Sequence, residues 1–235
     1  TIMLSNTYQQ SSIVSENLLN MDKENRLLAR GPAKRLSGEM LRDNALFASG
    51  LLSEKIGGKS VSPYQPPGLW LVNGDKYKVG TGEDLYRRSL YTIWKRTVPH
   101  PTLATFDAPT RDLCTTRRQE TNTPLQALVL LNDPTFIEAS RVLGKKMAGY
   151  DALKKGISTT FRKLTGRSIK PKELEVLIAL QKEELEKFRA NKNKAKGWIS
   201  LGEHKITSED DVAVVAANAV VASTIMNSDA SITKR

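Results

Sequence analysis

The stretch TNTPLQALVLLNDPTFIEASRVLGKKM, Thr121 to Met147, is punctuated by Pro124 and Pro134, and this constrains the fold more than any other feature of the chain. Thr123 is a residue able to cap a helix, and Pro124 after it takes the first helical position, where a missing N–H costs no hydrogen bond. Asn132-Asp133-Pro134 ends that helix and starts a second one. The first helix, PLQALVLL, is apolar at almost every position, so it is expected to be buried on most sides. The second, PTFIEASRVLGKKM, puts Phe136, Ser140, Leu143 and Met147 on one stripe. Lys145 and Lys146 suit its C-terminal end, where the helix dipole favours positive charge.

Further helices are expected downstream. One spans Tyr150 to Leu164. Another runs from Pro171 to about Asn193, with Glu173, Glu175 and Glu183 nearer its start than the lysine cluster. SEDDVAVVAANAVVASTIM opens with Ser208-x-x-Asp211, close to a capping box. Its nearly uncharged portion, Val212 to Ser228, contains Asn218 and Asn227 and is short for a membrane span, so it reads as a buried helix. Upstream, Leu36, Met40, Ala45, Phe47 and Leu51 or Leu52 recur at near-helical spacing, with Ser37 as N-cap and Gly57-Gly58 as the stop. Ser62 to Gly82 carries three prolines and four glycines and reads as a loop with extended pieces. Asp84 to Pro101 fits a helical stripe through Tyr86, Leu90, Ile93, Trp94 and Thr97. Its strand-forming residues favour an extended segment ending at Pro99-His100-Pro101. The expected fold class is mainly α: an irregular helical domain with long Pro/Gly loops and one or two short strands. Residues 1–235 are read as one domain, helical over 1–56, loop-rich over 57–122 and helical over 123–235, with an internal seam at 57–83. The chain begins with Thr1 and shows no leader-like segment, and it is expected to be a piece of a longer protein.

Charge points to an anionic partner. The net charge is +11. Between Ala139 and Ile206 there are 17 Lys and Arg against 7 Asp and Glu, a net of +10, so nearly all of the excess lies there. Lysines dominate that region with no interleaved aromatics to stack on bases, which disfavours nucleic acid and favours a solvated helical face.

An arginine band with aromatics stands apart from the lysines: Arg87, Arg88, Lys95, Arg96, Arg111, Arg117 and Arg118, with Tyr86, Tyr91, Trp94 and Phe106 among them. A planar guanidinium pairs bidentately with carboxylate, phosphate or sulfate and stacks on aromatic rings. Two readings stay open. The favoured one pairs these arginines with Asp107, Asp112, Glu120 and helix C-terminal carbonyls, knitting loops to the core. The other makes the band an anion or sugar-polymer groove. For catalysis the candidates are Asp107, Asp112, Cys114 and His100. Cys114 is the single cysteine, so no intrachain disulfide or cysteine-cluster metal site can form, and no metal site is expected. A cysteine nucleophile needs a base, and only His100 and His204 are available; Cys114 is expected to be a small buried core residue instead. GTGEDLYRR lacks the Gly-Lys-Ser/Thr ending of a phosphate loop.

YRRSLYTIWKRTVPHPTLATFDAPTRDLCTTRRQETNTPLQALVLLNDPTFIEASR, Tyr86 to Arg141, closely resembles the C-terminal domain of unknown function of Planctomycete-type cytochrome-c-associated proteins. SNTYQQSS, ENRLLARGP, RLSGEMLRDNAL, KIGGKSVSPYQPPGLW, FRKLTGRSIKPKELEVL and the closing IMNSDASITKR extend the resemblance along the whole chain. It implies an exported, extracytoplasmic, multidomain protein with a haem c domain upstream, and no established reaction. No Cys-x-x-Cys-His occurs here, so no cofactor is expected in this stretch. The expected role is an accessory or binding module rather than an enzyme. Its partners would be upstream domains of the same chain, an anionic polysaccharide or an acidic redox protein. The alternatives are an enzyme domain acting on complex or sulfated carbohydrate and an electron-transfer scaffold with a basic docking face.

Overall fold

The computed structural model describes residues 1–205 and 211–234. Its helices in chain order are α1 (Glu16–Met21), α2 (Gly38–Ser49), α3 (Pro101–Thr105), α4 (Pro124–Asn132), α5 (Pro134–Ala148), α6 (Leu153–Thr165), α7 (Pro171–Ala190), α8 (Lys192–Ser200), α9 (Val212–Met226) and α10 (Asp229–Ile232). Two two-residue strands, β1 (Lys34–Arg35) and β2 (Thr233–Lys234), pair antiparallel and tie the end of the chain back to the entry of α2. The fold is mainly α, as the helical spacing requires.

The core is built around α9. Its sequence is apolar all round and rich in alanine, and a helix of that kind is stable only when covered on most sides. Val215, Ala216, Ala217, Ala219, Val221 and Ala222 are fully buried, and α9 packs against α4, α5, α6, α7, α8 and α10. Small residues let it approach α5 closely: a Cβ on Gly144 would lie 2.7 Å from both Val215 O and Ala219 N. The buried asparagine of α9 is satisfied. Asn218 accepts from Gln181 Nε2 at 3.1 Å and donates to Gly144 O at 3.3 Å, linking α7, α9 and α5. Asp211 caps α9 by accepting from Ala213 N at 3.0 Å. Ser208, the other half of the expected capping box, lies outside the described residues.

The expected stripe on α5 holds: Phe136, Ser140, Leu143 and Met147 all face the core. Asp133 caps α5 through Thr135 N at 2.8 Å, and Thr123 N donates to Gln126 Oε1 at 3.2 Å at the start of α4. The 171–193 helix breaks at Asn191, whose side chain caps α8 by accepting from Lys194 N. At the start of α7, Glu173 takes a bidentate pair from Arg167 at 2.6 and 2.9 Å. Those bonds hold its carboxyl down to about 2 against the cost of burial.

Five expectations are corrected. Helix α4 is not buried on most sides: Leu125, Leu128 and Leu131 are exposed at 56%, 55% and 42%, and the buried positions are Gln126 and Leu130. On α2 the buried face is Leu41, Arg42, Ala45, Leu46, Ala48 and Ser49, while Met40 and Phe47 face solvent. Ser37 does cap it, but the helix stops at Gly50, where the backbone turns left-handed at φ 76°, not at Gly57-Gly58. Asp84 to Pro101 is neither a helix nor a strand. Two 3-10 turns, Gly82–Leu85 and Ser89–Tyr91, alternate with single bridges, Ser53 to Arg87 and Val61 to Thr92. Finally, Cys114 is exposed rather than part of the core, because residues 111–120 form a surface loop.

Candidate functional site

Arg42, on the buried face of α2, organises the loop that carries the front of the arginine band. Its guanidinium donates to Leu85 O at 2.6 Å, Arg87 O at 2.8 Å and Ser89 Oγ at 3.2 Å. The neighbouring Asp43 accepts from Ser89 N and Oγ at 2.8 and 2.7 Å. With the loop held in that way, Arg87 turns inward. It is 4% exposed, donates to the carbonyls of Lys55, Gly57 and Lys59, and lies 3.8 Å over the Tyr91 ring. The Tyr91 hydroxyl in turn accepts from Gly57 N at 2.7 Å.

The rest of the band divides. Arg118 pairs with Glu39 of α2, its NH1 lying 3.0 and 2.9 Å from the two carboxylate oxygens. Arg111 stacks 4.5 Å over Trp94, whose indole donates to Thr110 O at 2.9 Å. Lys95 pairs with Asp75 and lies 4.8 Å over Trp70. Arg88, Arg96 and Arg117 are exposed. Arg87 and Arg118 are thus bonded within the protein, with partners other than the acids anticipated. Backbone carbonyls of 55–59 and the distant Glu39 take these arginines; Asp107, Asp112 and Glu120 do not.

The four catalytic candidates do not converge. Asp107 sits at φ 60° and accepts from Thr121 N and Oγ1 at 2.8 to 2.9 Å. Asp112 and Glu120 lie on the exposed loop with Cys114. The concavity lined by Asp107, Glu120, Arg35 and Arg118 measures about 60 Å³, too small for a sugar ring. His100 is buried, with Nε2 donating to Tyr64 O at 3.0 Å. Burial holds its imidazole below the usual range, with Asp133 opposing the effect and Arg42 reinforcing it. Among the described residues, no group of three His, Cys, Asp or Glu side chains could hold a metal ion, and no helix is long and apolar enough to cross a membrane.

A buried ionic cluster escaped the sequence reading. Glu138 of α5 accepts from Tyr86 Oη at 2.9 Å and His204 N at 2.7 Å, with Arg141 NH2 at 3.5 Å. Arg141 donates to Ile199 O at 2.9 Å and also to His204 O. Gly202 lies so close that a Cβ there would collide with the Glu138 carboxylate. Tyr64 joins from the Pro-rich loop, its hydroxyl accepting from Glu203 N at 2.9 Å. Burial first, and then the charge of Glu138, pushes the Tyr64 phenol up to about 12; burial and then the hydrogen bond to Glu138 raise that of Tyr86. The cluster fastens the 199–205 segment and two loops onto α5. The polar Glu138 and Arg141 in an otherwise core-facing helix were the available signal.

Two larger grooves flank α4. One, of about 730 Å³, is lined by Leu131, Ile137, Phe188, Trp198 and Leu201, with Lys187 and Lys194 also in its wall. The other, of about 410 Å³, is lined by Tyr64, Pro66, Pro67, Pro101 and Leu128. Asn132 lines both.

The model of a family described as PSD1, protein of unknown function (DUF1553), matches residues 1–181. The chain belongs to the PSD1 family. The PSD1 match takes in the arginine band, His100, α4, α5 and most of α7. It stops short of α8 and α9, so the likeness read in the closing IMNSDASITKR lies beyond it. No curated protein and no solved structure matches this PSD1 chain.

Proposed function

We propose that this chain is a non-catalytic accessory module that holds an anionic partner against a basic helical face. The observation that carries this reading is the placement of charge. The lysines at the end of α7 and along α8 are exposed, whereas the groups suited to chemistry are isolated or engaged within the fold. Arg87 and Arg118 are bonded internally, Asp107 is bonded to Thr121, and the concavity at Asp107 is too small for a carbohydrate substrate. The resemblance noted in the sequence suggests the setting: an exported protein whose neighbouring domains, including a haem c domain, are organised by this one. Exposed lysines raise the local concentration of anions and steer their approach. The test is chromatography of the whole chain on immobilised heparin and on an immobilised acidic protein. Retention at low salt that falls away at physiological salt is expected. Flow-through at low salt on both supports overturns the reading, as does turnover of any sulfated or complex polysaccharide.

A second reading, an anionic polysaccharide bound along the arginine band, is favoured by the stacking of Arg111 on Trp94 and by the exposure of Arg88, Arg96 and Arg117. It predicts that Arg111→Ala with Arg117→Ala lowers retention on heparin and leaves retention on the acidic protein unchanged. Equal loss on both supports counts against it.

A further inference from the structure

We infer that the two grooves beside α4 form one docking site for an acidic peptide segment that carries apolar side chains. This rests on the binding-module reading and names its surface and the chemistry of its partner. Leu125, Leu128 and Leu131 recur every third residue on one face of α4 and stay 42% to 56% exposed, while Gln126 of the same helix is wholly buried. An apolar helix turned outward in this way marks an interaction surface more often than a solvated one. Leu128 belongs to the Pro66/Pro67 groove and Leu131 to the Trp198 groove, and the shared Asn132 joins the two.

The occupant follows from shape and charge. Concavities of about 730 and 410 Å³ are filled by protruding side chains, which a peptide offers and a planar lipid surface does not. The charged residues in the wall of the larger groove are Glu184, Lys187 and Lys194, and the chain that follows Glu186 is basic. From Lys187 to Gly202 it carries five cations, Lys187, Arg189, Lys192, Lys194 and Lys196, and no acid. Lys187 is already paired with Glu183 and Glu184, and Lys194 lines the groove with its side chain exposed. The Pro66/Pro67 groove has no lysine or arginine in its wall. The bound segment therefore runs with apolar anchors toward the prolines and acidic residues toward α8. Complementarity of this kind sets orientation and association rate as well as affinity.

The experiment uses the whole chain and a fluorescein-labelled peptide carrying leucines and one tryptophan among glutamates. It is compared with the same peptide bearing lysines for glutamates, with one bearing alanines for the apolar residues, and with phosphatidylserine vesicles. The glutamate peptide is expected to bind tightest. Leu131→Glu and Lys194→Glu should each weaken it about tenfold, and Leu90→Glu, a change at an exposed leucine outside both grooves, should not. Lys194→Glu removes no packing, so it stays informative if Leu131→Glu lowers the melting temperature. Binding of the lysine or alanine peptide as tightly as the glutamate peptide overturns the proposal. So does binding to vesicles alone, or equal behaviour of all three variants. Equal behaviour with the glutamate peptide still bound would leave the module reading standing and remove only this site. Failure of the chain to be retained on either anionic support would remove the reading itself.

Discussion

Glu138 and Arg141 have side chains only 1% and 2% exposed, three residues apart on α5. Such a pair adds little net stability over an apolar one, because desolvation offsets the attraction, but losing one member leaves a charge stranded. Glu138→Ala is accordingly expected to cost about 3–5 kcal/mol in urea melts. Tyr86→Phe, which removes one hydrogen bond to that carboxylate, should cost about 1.5–3 kcal/mol. A loss under 1 kcal/mol for Glu138→Ala would mean that the cluster does not fasten the 199–205 segment. His100 belongs to the same scale. Its buried imidazole resists protonation, while in the unfolded chain it accepts a proton near the ordinary value of 6.5. Acid therefore favours the unfolded state: this contribution is intact above about pH 6.5 and erodes as pH falls below it. Melting temperatures measured from pH 8 to 5 should decline across that window, and His100→Gln should flatten the decline. An unchanged slope in the variant would refute the assignment.

At the scale of the element, α4 inverts the usual relation between polarity and burial. Gln126 donates to Thr105 O at 2.9 Å and Thr121 Oγ1 at 3.1 Å and accepts from Thr123 N, so it holds α3, the Thr121 loop and the helix start together. Gln126→Leu is expected to cost about 1–3 kcal/mol through the partners it strands. Leu128→Ser, on the exposed face, should stay within about 0.5 kcal/mol. The opposite ranking in thermal melts would restore the buried-leucine expectation. The start and stop of α4 and α5 were legible because Thr-Pro and Asp-Pro act through local backbone chemistry. The orientation of α4 was not, since PLQALVLL is apolar on every face and periodicity has nothing to choose between. On α2, Met40 and Phe47 suggested one face, and the burial of Arg42 with its loop carbonyls selected another. Cys114 was misplaced for a related reason: its residue type is usually buried, but the loop around it, 111–120, is exposed throughout.

At the scale of the whole molecule, the central helix lies outside the stretch that defines the family. α9 begins at Val212 and the match ends at 181, yet α5 and α7 of the matched part bury their apolar faces on it. A chain ending at Lys205 is expected to lose cooperative unfolding, read as a broad, low-enthalpy calorimetric transition. A sharp transition would show that the matched part has a core of its own. The candidate site was partly legible. The arginine band stood out by composition, but whether each arginine served the fold or faced outward depended on partners dozens of residues away, such as Glu39 for Arg118. The Glu138 cluster and the joined grooves gather residues from the Pro-rich loop, α4, α5 and α8, and no local pattern announces such a gathering. Helix class, caps, breaks and the uneven distribution of charge follow from interactions within a few residues, so the linear order was sufficient for them. The facing of α4, the partners of the arginines and the shape of the grooves depend on long-range packing, in which the alternatives differ only once every neighbour is in place.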